Sequence, residues 1–340
     1  MIYIVSKGEY VSGGPETLHQ AAKLLASFGE HVGMYYVQPH TMEVPQRFRE
    51  YNIKAVENIV DCEDNILIVP ETQTYILKSY RRIKKCIWWL SLENYLNTEP
   101  VFLVKWRMEA NHWPKFMFPV AWIVMVTKGK IRPYRYHFED NGAFLHAYNC
   151  EYAHQYIVGH GVPEERTLYL CGPLNRSFFE KAEKQKKEKR ENIILFNPKK
   201  GKTFTDKVIA EAYRQKIDAV FTPIQDMTPN QITEVMAHSK IYMDFGNFPG
   251  PERIPREAVT MGCNIITSRN GSAANNVDVP IPGEMKFEDR EENIPIIIDK
   301  LRDMLDSYET YYPCYDEYRR KVANQVILLP QNLKILLKRI

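Results

Sequence analysis

Several motifs that would settle a function are missing from these 340 residues. No G-x-G-x-x-G follows the first strand-like run, which counts against a dehydrogenase, and no G-x-x-x-x-G-K-[ST] occurs, which removes the P-loop ATPases. Asp-x-Asp, G-x-S-x-G and H-E-x-x-H are also absent. A single-domain metal-dependent nucleotide-sugar site, a serine hydrolase and a zincin are therefore poor candidates. Charge of one sign is lacking: 45 basic residues face 42 acidic ones for a net +3, so no nucleic-acid partner is expected. The six cysteines (Cys62, Cys86, Cys150, Cys171, Cys263, Cys314) form no Cys-x-x-Cys pair and no zinc-type spacing. They read as reduced thiols of a cytoplasmic protein that needs no metal and no cofactor. Long apolar runs are missing too. Phe116 to Val126 is about half the ~20 residues of a spanning helix, and the opening MIYIVSKGEYVSGG is too short for a signal peptide. Contact with a membrane would be peripheral, at its inner face.

What is present is a chain that is 44% hydrophobic, enough at the usual ~150 residues per domain for two cores. Ile2-Tyr3-Ile4-Val5 has the β-branched and aromatic make-up of a buried parallel strand. Leu18, Ala21, Ala22, Leu25 and Phe28 fall on one face of a helix over 17–28, and His31 to Val37 resumes as a strand. This βαβ start continues with strands expected at 65–69, 86–90, 121–126 and 166–171. After the charged run KAEKQKKEKREN the pattern starts again. Strands are expected at 192–196, 218–224, 240–245 and 263–268, and helices at 205–215, 230–239, 257–262, 294–307 and 333–340. The fold class is α/β: two doubly wound Rossmann-like domains facing a cleft, over 1–173 and 174–312, with a helical segment 313–340 returning to the first.

Four loops carry the candidate chemistry. V-S-G-G-P-E holds Gly13, Gly14 and Glu16 where a helix N-terminus would meet an anion. N-P-K-K-G-K places Lys199 and Lys200 after the first strand of the second half. In P-G-P-E-R-I-P-R-E-A-V-T-M-G, Arg253 and Arg256 are suited to phosphate oxygens. Glu257 is suited either to ribose hydroxyls or to the dipole of its own helix. R-N-G-S-A-A-N offers Gly271, Ser272 and Ala273 at a small-residue turn. His19 and Glu16 are the weak candidates for an acid or base. His146, His154 and His160 read as packed or surface histidines.

The stretch S-G-G-P-E-T-L-H-Q-A-A-K-L-L-A-S-F-G-E-H-V, with Gly13, Gly14, Glu16, Leu24, Leu25, Gly29, His31 and Val32, resembles the opening of the two-domain GT-B glycosyltransferases, in particular their large retaining family. N-P-K-K-G is similar to the loop whose lysine contacts the donor diphosphate, which implies that role for Lys200. R-E-A-V-T-M-G-C-N-I-I-T-S-R-N-G-S-A is similar to the donor-site helix and strand, which implies a ribose contact for Glu257 and phosphate contacts for Gly271 to Ala273. Where retaining relatives carry a second glutamate, eight residues before the first, this chain has Pro249; Glu252 is the nearest acid. The resemblance implies a metal-independent hexosyltransferase-type enzyme of polysaccharide biosynthesis. It would move sugar from a nucleotide-diphosphate donor to a glycan or lipid-linked acceptor, with closure of the domains excluding water. Two other readings share the architecture: a non-catalytic subunit partnering another glycosyltransferase, and a nucleotide-sugar epimerase. Oligomeric state is left open by the sequence.

Overall fold

The computed structural model describes residues 1–8, 13–131, 134–185 and 189–340. Val11 and Ser12 of the first candidate loop, and residues 186–188 of the charged run, lie outside the described residues. The chain forms two compact units. The first comprises 1–149, 153–172 and 329–340, and the second 150–152 and 173–328.

In the first unit the elements run β1 (Ile2–Lys7), α1 (Gly13–Ser27), β2 (Val32–Val37), β3 (Ile66–Pro70), β4 (Lys84–Trp89), α2 (Leu92–Leu96), α3 (Pro100–Ala110), α4 (Phe118–Thr127), β5 (Leu145–Tyr148), α5 (Glu151–Gly159) and β6 (Thr167–Tyr169). Its sheet has the order β2-β1-β3-β4-β5-β6, and each pairing is parallel. Ile2 to Ser6 are all buried, as a central parallel strand requires when helices cover both faces. The core gathers Ile4, Leu18, Leu25, Tyr36, Ile68 and Trp88.

The second unit begins with α6 (Arg176–Gln185) and continues β7 (Glu191–Phe196), α7 (Lys202–Arg214), β8 (Val220–Pro223), α8 (Pro229–His238), β9 (Ser239–Asp244), α9 (Arg253–Thr260), β10 (Asn264–Ser268), β11 (Lys286–Phe287), α10 (Ile294–Asp306), α11 (Tyr308–Tyr311) and α12 (Asp316–Arg339). Its strand order is β11-β10-β9-β7-β8, again parallel throughout. Thr228 starts α8 with a capping box: its hydroxyl accepts from the Gln231 amide while Gln231 reaches back to the Thr228 amide.

Three expectations need correction. Residues 121–126, expected as a strand, lie in helix α4, and the strand that fills that place is β5. A short apolar run has no periodicity to separate strand from buried helix. Here Pro119 sits in the first turn, where its missing N–H costs nothing. Helix α1 starts at Gly13 instead of Thr17, so both glycines belong to its first turn. The terminal helix is one element of 24 residues, with Pro330 inside it, and its return to the first unit begins at Leu329 rather than at residue 313. Tyr318 and Val322 of α12 belong to the core of the second unit. Leu329, Leu333 and Leu336, spaced three and four apart, belong to that of the first.

Leu333 is fully buried while Ile327, on the same helix, is exposed. Leu333→Ala is expected to lower the stability of the first unit by about 2–5 kcal/mol, and Ile327→Ala to change it by no more than ~0.5 kcal/mol. Urea unfolding followed by tryptophan fluorescence compares the two.

Candidate functional site

In a parallel sheet every strand ends at the same edge, and a crevice opens there where the strand order reverses. In the second unit that point lies between β7 and β9, because β8 turns to one side of β7 while β9, β10 and β11 follow on the other. Phe196 pairs with Met243, so the loops after Phe196 and Asp244 leave the sheet side by side. Gly201 and Gly246 bring those loops together: both have positive φ, and a Cβ on Gly201 would lie 2.4 Å from the backbone of Phe245.

Lys200 is held over this edge. Its Nζ is 3.1 Å from Glu252 Oε2 and 3.5 Å from Asp244 Oδ2, and it lies 4.1 Å from the centre of the Phe248 ring. Asp244, at the carboxyl end of β9, is buried; Tyr242 donates its hydroxyl to Oδ2 at 2.7 Å, and Oδ1 has no hydrogen-bond partner among the described residues. Burial pushes the Asp244 carboxyl up to about 6, against the pull of Lys200 and the Tyr242 hydrogen bond. Asn197 is buried and its side-chain oxygen accepts the Lys199 amide at 3.0 Å, which folds the loop back while Lys199 itself stays exposed.

Glu252, the partner of Lys200, is also the residue from which α9 starts. The next residue, Arg253, donates through Nε to Glu257 Oε1, one turn further along the helix. The Glu257 carboxylate therefore sits in the second turn of α9, buried and charge-paired, and not in the first turn where it would complement the dipole. Arg256 is buried; it donates to the Glu252 carbonyl at 3.2 Å and to Gln325 of α12 at 2.8 Å, so it ties α9 to α12. In the following loop, Ser272 donates its amide to the Phe248 carbonyl at 2.9 Å and its hydroxyl to Gly250 at 2.7 Å. Those bonds staple this loop, with Gly271 and Ala273 on either side, to the loop after β9. They also commit the Ser272 amide, which the sequence offered as an anion donor.

The first unit has its own reversal between β1 and β3, and a cavity of about 280 Å³ lies at that edge, lined by Lys7, Gly14, Glu71, Ser91, Asn94 and Thr98 among others. Among the described residues, a Cβ on Gly13 would meet nothing within 4 Å. Glu71, directly after β3, is buried, and its Oε2 accepts the Leu90 amide at 2.9 Å. Burial pushes this carboxyl up to about 7, opposed by backbone hydrogen bonds and by Lys7, whose own pKa is lowered by burial.

Glu16 pairs with Arg47 at 3.1 Å. His19 lies inside the first core. Its Nδ1 donates to the Pro15 carbonyl at 2.6 Å, its Nε2 accepts from the Tyr36 hydroxyl at 2.7 Å, and the ring stacks on Phe48. Burial holds its pKa down to about 4, and both nitrogens are engaged, so it is a neutral core residue. His146 is buried against Trp89, and His154 pairs with Glu164. Sequence reasoning missed Asp244, Phe248, Lys7 and Glu71. The signal available was an acid at the carboxyl end of a strand, in Y-M-D-F and in I-V-P-E.

No protein-family model matches the chain, and no curated protein matches it. Solved structures do. A glycosyltransferase from Rickettsia africae superposes with a TM-score of 0.63 at 14% identity, covering 99% of this chain and 98% of that one. Sucrose-phosphate synthase from Thermosynechococcus elongatus gives 0.60 at 12% identity, covering 99% and 97%. HepE from Anabaena, solved in complex with UDP-glucose, gives 0.56 at 12% identity, covering 100% and 99%. The chain has the GT-B fold.

A carboxyl raised on folding is protonated in the native state at a pH where the unfolded chain has already lost the proton. Stability therefore falls as pH rises from about 4.5 to about 7 for Glu71, by at most roughly 1.4 kcal/mol per pH unit. Glu71→Gln, which still accepts from Leu90, is expected to remove that slope and to be the more stable form above pH 7. Denaturant titrations at pH 5 and pH 8 measure it.

Proposed function

We propose that the chain is a glycosyltransferase that takes a nucleotide-diphosphate sugar on its second unit and an acceptor hydroxyl on its first. The observation that carries the reading is the Lys200–Asp244–Glu252 cluster at the strand-order reversal of the second unit, with Arg253 next to Glu252 at the start of α9 and Glu257 one turn beyond it. A bare polyphosphate would be repelled by Asp244, Glu252 and Glu257. A molecule with hydroxyls beside its phosphates suits the set, because carboxylates accept from sugar hydroxyls while Lys200 and Arg253 meet phosphate oxygens. The fold supports the same class, since the solved neighbours include HepE with UDP-glucose.

In this mechanism the acceptor oxygen attacks the anomeric carbon, the bond to the diphosphate breaks, and the nucleoside diphosphate leaves with the electron pair. Negative charge grows on the diphosphate during that step, and Lys200 and Arg253 stabilise it more in the transition state than in the ground state. Lys200 exchanges its contacts with Glu252 for the leaving group. The cations of the protein carry this charge themselves, so the reaction is metal-independent. Glu71, buried beside Lys7, takes the proton that the acceptor hydroxyl loses as its oxygen bonds to the anomeric carbon, and does so only when ionised.

Lys200→Met is expected to weaken binding of the matching sugar nucleotide by roughly 10- to 100-fold, the loss of one charge-assisted contact. Isothermal titration calorimetry against a panel including UDP-glucose reads this, and unchanged affinity overturns the reading. In turnover assays, the limb of the pH profile near 7 should disappear in Glu71→Gln, and a chelator should leave the rate unchanged.

A further inference from the structure

The connection between β4 and β5 is not a plain crossover. It carries α2, α3 and α4, and the last two pack around a small core of their own made by Val104, Met108, Ala121 and Ile131. That core is too small to bury what the two helices bring. Phe116 is 80% exposed, Ile123 61% and Trp106 55%, and Phe102, Trp113 and Val120 are exposed as well. Phe102 and Trp106 are four residues apart on α3 and Val120 and Ile123 three apart on α4, so each pair shares a helix face, with Phe116 in the link between the helices. Scattered exposed apolar residues are ordinary, but large aromatic and aliphatic side chains concentrated in one insertion mark a contact surface.

The charges say what the surface meets. Residues 100–131 contain five basic side chains, Lys105, Arg107, Lys115, Lys128 and Lys130, against the single acid Glu109. All five are exposed, and none is in an ion pair among the described residues. A second copy docked through a two-fold axis would bring these cations against themselves. An anionic bilayer receives both features: the apolar side chains enter the interface and the lysines lie at the phosphate level. Helix α4 has ten residues without a charge, about 15 Å of helix, against a hydrocarbon core of about 30 Å. No described helix is long and apolar enough to cross. Helices of this length can reach no further than one leaflet.

We infer that α3 and α4 form a monotopic docking surface for a bilayer containing anionic lipid. The position has a consequence within the first unit: Thr98 lines the cavity that holds Glu71, and α3 begins at Pro100. A bilayer on this surface places lipid headgroups beside that cavity.

The test is co-sedimentation of the full chain with phosphatidylcholine vesicles with and without phosphatidylglycerol. Binding is expected only with phosphatidylglycerol and should weaken as salt rises. The exposed triple variant Trp106→Ser/Phe116→Ser/Ile123→Ser is expected to lower the partition coefficient more than tenfold. Lys128→Gln/Lys130→Gln should lower it roughly 25-fold, about fivefold per charge, with far-ultraviolet circular dichroism unchanged in both. Equal binding to both vesicle types, binding to neither, or a dimer in light scattering that the triple variant dissolves would each overturn the inference.

Discussion

Both candidate sites depend on one constraint, that parallel strands all end at the same edge of their sheet. Each crossover must return to the starting edge, so every strand delivers its following loop to one side. When successive strands go to opposite sides of the first, the two loops part, and the edge between them is left uncovered by any crossover. In the second unit that gap is where Lys200 arrives from β7 and Asp244 and Glu252 arrive from β9. In the first it is where Lys7 and Glu71 arrive from β1 and β3.

The electrostatics follow from that placement. Asp244 ends a strand inside the packed sheet, so its carboxylate is removed from water before any ligand comes. Attraction between unit charges at 3.5 Å is worth about 5 kcal/mol at an effective dielectric constant near 20. The carboxyl is nevertheless raised, so loss of hydration outweighs Lys200. Glu71 repeats the arrangement in the first unit, with a half-buried lysine beside a buried carboxyl.

Much of this was legible in the sequence, and what was not has identifiable causes. The two βαβ starts stood out because buried parallel strands are dense in β-branched residues and their helices show a 3.6-residue stripe, as in Leu18, Ala21, Ala22 and Leu25. Lys200, Arg253 and Glu257 stood out because their loops combine charge with glycine and proline. The run 121–126 misled because it is apolar all round. Its helix is covered only in part, so it lacks the polar stripe that would have declared its period. Arg256 carried the same charge signal as Arg253, but its side chain turns to Gln325, 69 residues away in the chain. His19, a weak acid or base candidate from the sequence, is a core histidine enclosed by Tyr36 and Phe48.

The sequence by itself determined the α/β class, the number of sheets and the loops that bear charge, because periodicity and turn chemistry are properties of neighbouring residues. The tertiary structure alone decided which charges meet: that Lys200 lies between Asp244 and Glu252, that Arg256 is spent on α12, and that Glu71 is buried beside Lys7. Those pairings join residues far apart in the chain, and the protonation of each carboxyl depends on how much water the surrounding fold removes. Neither the partner nor the water is written at the position of the residue itself.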